Sequence, residues 1–230
     1  MTALWPTPVR RPHVVVHVAV SVDGSTSGFE PDVGRFYALT HAWAEDVTLA
    51  GADTILAQEE QLAAAPRPGP AVGGPLLAVV DGRRRVSEWD ALRECGHWSD
   101  VVALRAWTTP PRAEGGGGSV RELITGFERV DLGAALRTLA ERDGAMTVRV
   151  DSGGALIGAL LQQGLVDELS LLVHPYVSGR GEDSLWHGPK PPPDLSFAPI
   201  AFEALDRGLV WLRYRLRSAS SQSSSPASRP

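Results

Sequence analysis

The sequence predicts an α/β fold built on a mainly parallel sheet, with an antiparallel hairpin at its C-terminal end. Three observations predict it. Short continuous apolar runs are typical of parallel strands buried on both faces. Helical patterns separate many of these runs, as they do in α/β folds. The last segment alternates apolar and polar residues, which is typical of an antiparallel strand with one exposed face.

The buried strands are predicted at six places along the chain. They are Val14–Val20, Val47–Ala50, Leu76–Val80, Val101–Leu104, Thr147–Val150 and Leu169–Val173. Ligands of parallel sheets usually bind beyond the carboxyl ends of the strands. The residues directly after these runs are therefore the first candidates for a functional site.

Three segments between the strands have apolar residues on one helical face. Asp131 is a good N-cap for the second of them, and Gly144 and Gly164 are plausible ends for the second and third. The apolar positions are Phe36, Leu39 and Trp43; then Leu132, Ala135, Leu136 and Leu139; then Leu156, Leu160 and Leu161.

The hairpin is predicted because apolar residues occupy every second position in residues 210–217. Ile200–Leu205 is its expected partner strand, and Asp206-Arg207-Gly208 supplies the turn. Together with the parallel strands, the hairpin completes one domain over residues 11–217.

The two ends of the chain are expected to lie outside this domain. Residues 1–10 are interpreted as a flexible lead-in, and Ser218–Pro230, mostly Ser, Ala and Pro, as a disordered tail. The run Gly115–Gly118 is interpreted as a surface loop rather than a linker, because strands and helices alternate across it.

Composition excludes several classes of protein. The 230 residues carry 22 basic and 27 acidic side chains, a net charge of −5, which argues against a general nucleic-acid binder and a polybasic membrane anchor. A single cysteine, Cys95, excludes an intrachain disulfide framework and fits a reducing cytoplasm. No apolar stretch is long enough to cross a bilayer, and no signal peptide or metal-binding spacing is expected.

The first candidate site follows the first strand. Asp23, in the turn Ser21-Val22-Asp23-Gly24-Ser25, offers a carboxylate to a polar ligand; the alternative is an ordinary Asp-Gly turn. His17, inside the strand, faces a pocket or is a core histidine. His17, Ser21 and Asp23 would line one side of a cleft if the strand stays extended to Asp23.

Three further segments follow later strands. Gly51-Ala52-Asp53-Thr54 offers backbone N–H groups, and the glycine pair in 151–156 opens a helix whose N-terminus favours anions. The run Arg83–Arg85 is a solvated face or an anion contact, because arginine suits phosphate. The sequence contains no G-x-G-x-x-G, Walker or G-x-S-x-G motif.

Together these segments resemble the pyrimidine reductase family of riboflavin biosynthesis, the C-terminal reductase domain of bifunctional deaminase/reductase enzymes. The order and spacing of four segments carry the resemblance, roughly from Arg11 to Arg217. The family's fold is three-layered and similar to dihydrofolate reductase. The segments are Val14–Gly24 with its S-x-D-G turn, Ala44–Leu56 with its G-x-x-T turn, Val148–Gly154 with its glycine pair, and Leu165–Leu171 with His174-Pro175.

The resemblance implies an NADPH-dependent reductase that commonly works as a homodimer, and the single free thiol favours the cytoplasm as its location. It would reduce the ribosyl group of a diaminopyrimidinone ribosylamino 5′-phosphate to ribityl by hydride transfer to C1′. Asp23 is the implied catalytic residue, and His17, Ser21 and Ser152 the implied substrate contacts. The implied NADPH contacts are Gly51, Thr54, Gly153, Gly154 and Leu156, to which we add Arg83 and Arg85 for the 2′-phosphate on charge and position.

The sequence departs from the family pattern at three places. His17 stands where many relatives have Lys, and a histidine is shorter and only partly charged near neutral pH. Ser152 precedes the glycine pair where the family often has Glu. The Asp-Pro-x-Leu-Thr-x-Arg stretch that often follows the second strand is absent from residues 58–65. Many relatives also have an N-terminal zinc deaminase domain, which we expect here to be a separate protein.

These departures keep two other functions open. One is a reductase of another heterocycle, such as a dihydrofolate-like pterin or a secondary-metabolite precursor. The other is a non-catalytic nucleotide-binding module that retains the fold. Cofactor binding distinguishes the reductases from the module.

Overall fold

The computed structural model describes residues 11–110, 120–191 and 193–217, and within them one nine-stranded sheet. The strands are β1 His13–Ser21, β2 Val47–Gly51, β3 Leu76–Val80, β4 Asp100–Arg105, β5 Arg121–Ile124, β6 Thr147–Val150, β7 Glu168–His174, β8 Phe197–Ala204 and β9 Val210–Leu216. Their order is β5-β4-β3-β2-β6-β1-β7-β9-β8. The first seven strands in this order, β5 through β7, pair with one another in parallel. The last two strands form the hairpin, in which β9 is antiparallel to both β7 and β8.

Helices cover both faces of the parallel part of the sheet. They are α1 Val33–Thr40, α2 Ala52–Leu56, α3 Glu59–Ala64, α4 Trp89–Glu94, α5 Leu132–Asp143 and α6 Gly154–Gln162. The apolar residues of α5 and α6 pack on one face, and those of α1, α2 and α4 on the other. The predicted three-layer α/β fold with a C-terminal antiparallel hairpin is therefore confirmed.

The six predicted strands and the hairpin are present, each within a few residues of the predicted bounds. Asp131 caps α5 by accepting a hydrogen bond from Ala134 N at 2.8 Å, and Gly144 ends the helix with a φ of 70°. The helix predicted from Phe36, Leu39 and Trp43 is shorter than its pattern, since α1 ends at Thr40. Trp43 follows the helix, and its Nε1 donates to Glu168.

β5 was missed by the sequence analysis because it is short and carries only one buried residue, Leu123. The lead-in at 1–10, the tail at 218–230 and the glycine run at 115–118 lie outside the described residues, so these predictions stay predictions. No helix of the described residues is long and apolar enough to cross a membrane.

Candidate active site

A cavity of about 1250 Å³ opens beyond the carboxyl ends of β1, β2, β3 and β6. Its position follows from the sheet, because β6 is inserted between β1 and β2 and brings the turns after these strands together. The predicted site residues that line it are His17, Gly51, Thr54, Arg83, Arg85, Ser152, Gly153, Gly154 and Leu156. Most of the sequence-predicted site is thus assembled in one place.

The glycine pair at the start of α6 serves two different purposes. A Cβ on Gly153 would meet no atom within 4 Å, so this residue leaves open space at the cavity. A Cβ on Gly154 would lie 2.2 Å from the carbonyl oxygen of Leu185 and 2.7 Å from the N of Gly188. Gly154 is therefore required by the packing of α6 against the backbone of Leu185 and Gly188, whereas Gly153 borders open space.

The start of α6 is suited to an anion. Gly153 is its N-cap and no side chain caps the helix, so its first N–H groups lack intrahelical partners. These donors and the positive end of the helix dipole favour a phosphate group at this point. The open space at Gly153 lets a ligand approach the backbone at this point.

Ser152 joins the turns after β2 and β6. Its Oγ accepts a hydrogen bond from Gly51 N at 3.2 Å and lies 3.1 Å from Thr54 Oγ1. A Cβ on Gly51 would lie 3.0 Å from the same Oγ. Ser152 thus holds the two turns of the cavity floor at a fixed separation.

Buried charges support the wall of the cavity beside β6. Arg149 Nε donates to Glu45 at 2.7 Å, and its NH1 donates to Asp151 at 2.9 Å. Burial acts to lower the pKa of Arg149, but Glu45 and Asp151 raise it, so the guanidinium stays charged. Asp151 and Tyr37 both line the cavity. Burial and then the charge of Asp151 raise the pKa of Tyr37 to about 12.

His17 borders the cavity but is 1% exposed. Trp211 Nε1 can only donate, and it donates to Ser170 Oγ at 2.8 Å. The carbonyl of Phe36 can only accept, so Nε2 of His17 carries the proton and donates to it at 3.1 Å; in the neutral ring Nδ1 then accepts from Ser170 Oγ at 2.9 Å. The ring also stacks on Phe36 with centroids 4.2 Å apart. Nε2 thus joins β1 to α1, and Nδ1 joins β1 to the neighbouring strand β7.

Two comparisons with known proteins show the family. The model of the RibD C-terminal domain family matches residues 12–210. A 2,5-diamino-6-ribosylamino-4(3H)-pyrimidinone 5′-phosphate reductase of Archaeoglobus fulgidus is 31% identical over 199 residues, 77% of this chain and 87% of that protein.

The chain belongs to the RibD C-terminal domain family. Solved structures show the same fold. A pyrimidine reductase-like protein of Corynebacterium diphtheriae has a TM-score of 0.67 and 16% identity, with 90% of this chain and 92% of that chain covered. A riboflavin biosynthesis reductase of Saccharomyces cerevisiae has a TM-score of 0.64 and 19% identity, with 90% of both chains covered. The predicted family and the enzyme class, an oxidoreductase, are confirmed.

Two predicted residues of this RibD-family site do not line the cavity. β1 ends at Ser21, so the extended strand that would carry Asp23 to the same cleft is absent. Ser21 is buried and its hydroxyl donates to Asp23 Oδ1 at 2.5 Å. The Asp23 carboxylate also accepts from the backbone N of Ser178 and of Gly179 at 3.0 and 2.9 Å. Ser21 first, and then these N–H groups, lower the pKa of Asp23.

The histidine at position 17 also differs from its sequence prediction as a substrate contact. The structure favours the other reading, a core histidine satisfied by its neighbours, because its ring nitrogens have protein partners. Asp151, the residue before Ser152, also lines the cavity.

Sequence reasoning missed other residues of the cavity, chiefly Tyr37, Asp151 and Arg129. Asp151 directly follows a predicted buried strand, which is a signal that could have found it. Arg129 follows β5, which the sequence did not predict. No group of three or more His, Cys, Asp or Glu side chains within the described parts of the chain is arranged to hold a metal ion.

The buried His17 makes stability depend on pH. Burial lowers its pKa to about 4 from 6.5. Between these values the unfolded chain binds a proton that the folded chain does not, so stability falls as pH falls from 6.5 to 4. We expect a loss on the order of 3 kcal/mol over this range from this residue.

Urea unfolding of wild type and His17→Gln between pH 4 and 7.5 measures this contribution. Glutamine does not titrate there and retains an N–H donor for the Phe36 carbonyl. The difference between the two proteins should change with pH in the stated direction, and other groups cancel from it. A difference that is independent of pH would contradict a neutral buried His17.

Proposed function

We propose that this chain is an NADPH-dependent reductase of riboflavin biosynthesis. It converts the ribosyl group of a diaminopyrimidinone ribosylamino 5′-phosphate to ribityl by hydride transfer to C1′. The observation that carries the proposal is the cavity at α6, with its uncapped helix start, open Gly153 and nearby arginines, in a member of the RibD C-terminal domain family. Its reductase relatives imply a nicotinamide cofactor; the choice of NADPH is part of the proposal.

The cofactor would lie across the turns after β2, β3 and β6. The N–H groups at the start of α6 would bind the pyrophosphate, with Gly153 giving access and Gly154 and Leu156 forming the first turn. Gly51 and Thr54, held by Ser152, would contact the cofactor from the opposite turn. The bound nicotinamide supplies the hydride, and the chain's contribution is to align it with the substrate.

The substrate would occupy the end of the cavity beside β1 and α1. Phe36 and Tyr37 from α1 offer ring surfaces there, and Asp151 offers a carboxylate. A carboxylate accepts hydrogen bonds from the N–H and hydroxyl groups that a ribosylamino pyrimidinone carries. His17 contributes by holding α1 in place, and Ser152 by fixing the floor between substrate and cofactor.

Turnover of a synthetic ribosylamino pyrimidinone 5′-phosphate with NADPH tests this function directly. The loss of reduced-nicotinamide absorbance and the appearance of the ribityl product are measured together. Stoichiometric conversion supports the proposal. Saturable NADPH binding without conversion of this substrate would contradict it in favour of another heterocycle, and failure to bind NADPH or NADH would favour a non-catalytic binding module.

A specific observation favours a second candidate, a reductase of a heterocycle without a phosphate. The arginines among the cavity-lining residues are Arg83, Arg85 and Arg129, all after β3 and β5, and no Lys or Arg of the described chain lines the side of β1 and α1. A 5′-phosphate on that side would lack a cation. Comparison of the substrate with its dephosphorylated form distinguishes the two: equal kcat/KM for both would favour the second candidate.

We propose that Asp23 acts as a positioning residue. Its carboxylate binds the N–H groups of Ser178 and Gly179, and the same segment continues to Leu185 and Gly188, which pack on Gly154. The carboxylate therefore helps to place the start of α6. The sequence prediction of a direct catalytic role is the competing interpretation.

Asp23→Asn is expected to lower kcat/KM by about tenfold or more, because an amide can accept fewer of these hydrogen bonds. A positioning role raises the KM for NADPH and loosens residues 178–188 in hydrogen exchange. A fall in kcat alone, with NADPH binding unchanged, would support the catalytic interpretation instead. Near-normal kcat and KM would contradict both.

We further propose a homodimer, as the family resemblance implies. Light scattering coupled to size-exclusion chromatography tests it, with an expected mass of twice the 24.5 kDa chain. A monomer mass at micromolar concentration would contradict it.

A further inference from the structure

We propose that Arg83 and Arg129 together form the site for the 2′-phosphate of NADPH and determine the preference for NADPH over NADH. This inference rests on the proposed function and makes it more specific. It adds Arg129, which no sequence motif indicated, and removes Arg85 from the phosphate contacts expected from the sequence.

The two arginines lie on adjacent loops. Arg83 follows β3 and Arg129 follows β5, and both line the cavity. The loops touch beside these residues, since a Cβ on Gly82 would lie 3.7 Å from Cγ2 of Val130. Strands that are not neighbours in the sheet therefore present two guanidinium groups to the same end of the cavity.

Both loops are held in place by their own hydrogen bonds. The Asp81 carboxylate accepts from the backbone N of Arg85 at 2.8 Å and of Val86 at 3.2 Å. In the second loop, Thr125 Oγ1 donates to the carbonyl of Asp131 at 3.0 Å, and Asp131 N donates to the carbonyl of Thr125 at 3.2 Å. A fixed backbone lowers the entropy that ligand binding costs.

The neighbouring arginines are neutralised by carboxylates. Arg85 NH1 lies 2.6 Å from Asp53, and Arg84 NH2 lies 2.9 Å from Glu122. Arg83 and Arg129 are exposed and form no ion pair or side-chain hydrogen bond within the described residues. Three carboxylates also line the cavity near these loops: Asp53, which is paired with Arg85, Asp81, which accepts from the backbone N of Arg85 and Val86, and Glu128.

The two arginines lie on the side toward which the adenosine half of a dinucleotide would extend. The start of α6, whose N–H groups would bind the pyrophosphate, lies after β6, and β2 separates β6 from β3 in the sheet. With the nicotinamide toward β1, the adenosine half extends in the opposite direction, toward the loops after β3 and β5. A 2′-phosphate brings negative charge and three acceptor oxygens to these arginines, whereas the 2′-hydroxyl of NADH brings neither.

The test is isothermal titration of the full chain with NADPH, NADH, 2′,5′-ADP and 5′-AMP. Arg83→Gln and Arg129→Gln are each expected to weaken NADPH and 2′,5′-ADP binding about 10–100-fold, the range of a hydrogen bond to a charged group. NADH and 5′-AMP binding should change less than about threefold, since they lack that group. The double variant should bind NADPH and NADH about equally.

Arg142→Gln is the matched control. Arg142 is exposed in the last turn of α5, distant in the helix from the cavity-lining Leu132, so the substitution changes net charge equally. Arg129→Gln with the wild-type preference for NADPH and 2′,5′-ADP would overturn the inference and leave the reductase proposal standing. Wild-type protein that binds neither NADPH nor NADH would overturn the proposed function itself.

Discussion

Arg149→Met is expected to lower the free energy of unfolding by about 3–5 kcal/mol, because it removes one partner of a buried ion pair. The Arg149 side chain is 5% exposed, and its partners Glu45 and Asp151 are 10% and 23% exposed. Methionine has a similar length, so the loss arises from two carboxylates left without their cation. Urea unfolding at pH 7 measures it.

A double-mutant cycle separates the charge effect from packing. In Arg149→Met, the more buried of the two carboxylates left without a cation is Glu45, and Glu45→Gln removes its charge. The double variant should therefore lose less stability than the sum of the losses of the two single variants. Losses that simply add would contradict the ion-pair explanation. Because Asp151 lines the cavity, Arg149→Met should also weaken substrate binding, which is read separately from stability as a rise in KM.

Gly154→Ala is expected to cost about 3 kcal/mol, at the upper end of what overpacking usually costs. Its Cβ would lie 2.2 Å from one backbone atom and 2.7 Å from another, and backbone yields less easily than the end of a side chain. For a chain of this size the melting temperature should fall by about 6–12 °C. Thermal unfolding followed by circular dichroism measures it.

Gly153→Ala is the matched control, one residue earlier. The φ of Gly153 is −80°, which alanine adopts readily, and its Cβ would meet nothing within 4 Å. Its unfolding free energy should change by less than about 1 kcal/mol. Equal destabilisation by the two substitutions would contradict the separate roles of packing and cavity access. The Gly153 variant then reports on cofactor binding without a loss of fold.

Much of the fold can be predicted from the sequence because its signals are local. The apolar run at Leu76–Val80 and the pattern from Leu132 to Leu139 each indicate a segment that must be buried, whatever covers it. Asp131 and Gly144 then set the bounds of α5 through hydrogen bonds and a positive φ that depend on adjacent residues only. β5 was not predicted because a four-residue edge strand with one buried side chain has too few apolar residues to show a periodicity.

The site is predicted less completely. The motifs around Gly51 and Gly153 identify two of its turns, and resemblance carries their cofactor role to this chain. They do not show that Gly154 faces the backbone of Leu185 and Gly188 rather than a ligand. Nor do they show that the Asp23 carboxylate binds the N–H groups of Ser178 and Gly179, since that contact spans more than 150 residues.

The sequence by itself determined the layers of this protein, its hairpin, its family and the turns that form a cofactor cleft, because burial periodicity, capping and motif spacing are properties of neighbouring residues. Only the tertiary structure decided which arginines at the cavity are free of carboxylate partners within the described residues and can bind a ligand. Arg85 is bound to Asp53, whereas Arg83 and Arg129 line the same cavity from two loops that are more than 40 residues apart. The reason is physical. Strand β6 lies between β1 and β2, and β3, β4 and β5 pair side by side. Both arrangements depend on long-range strand pairing, which no local pattern specifies.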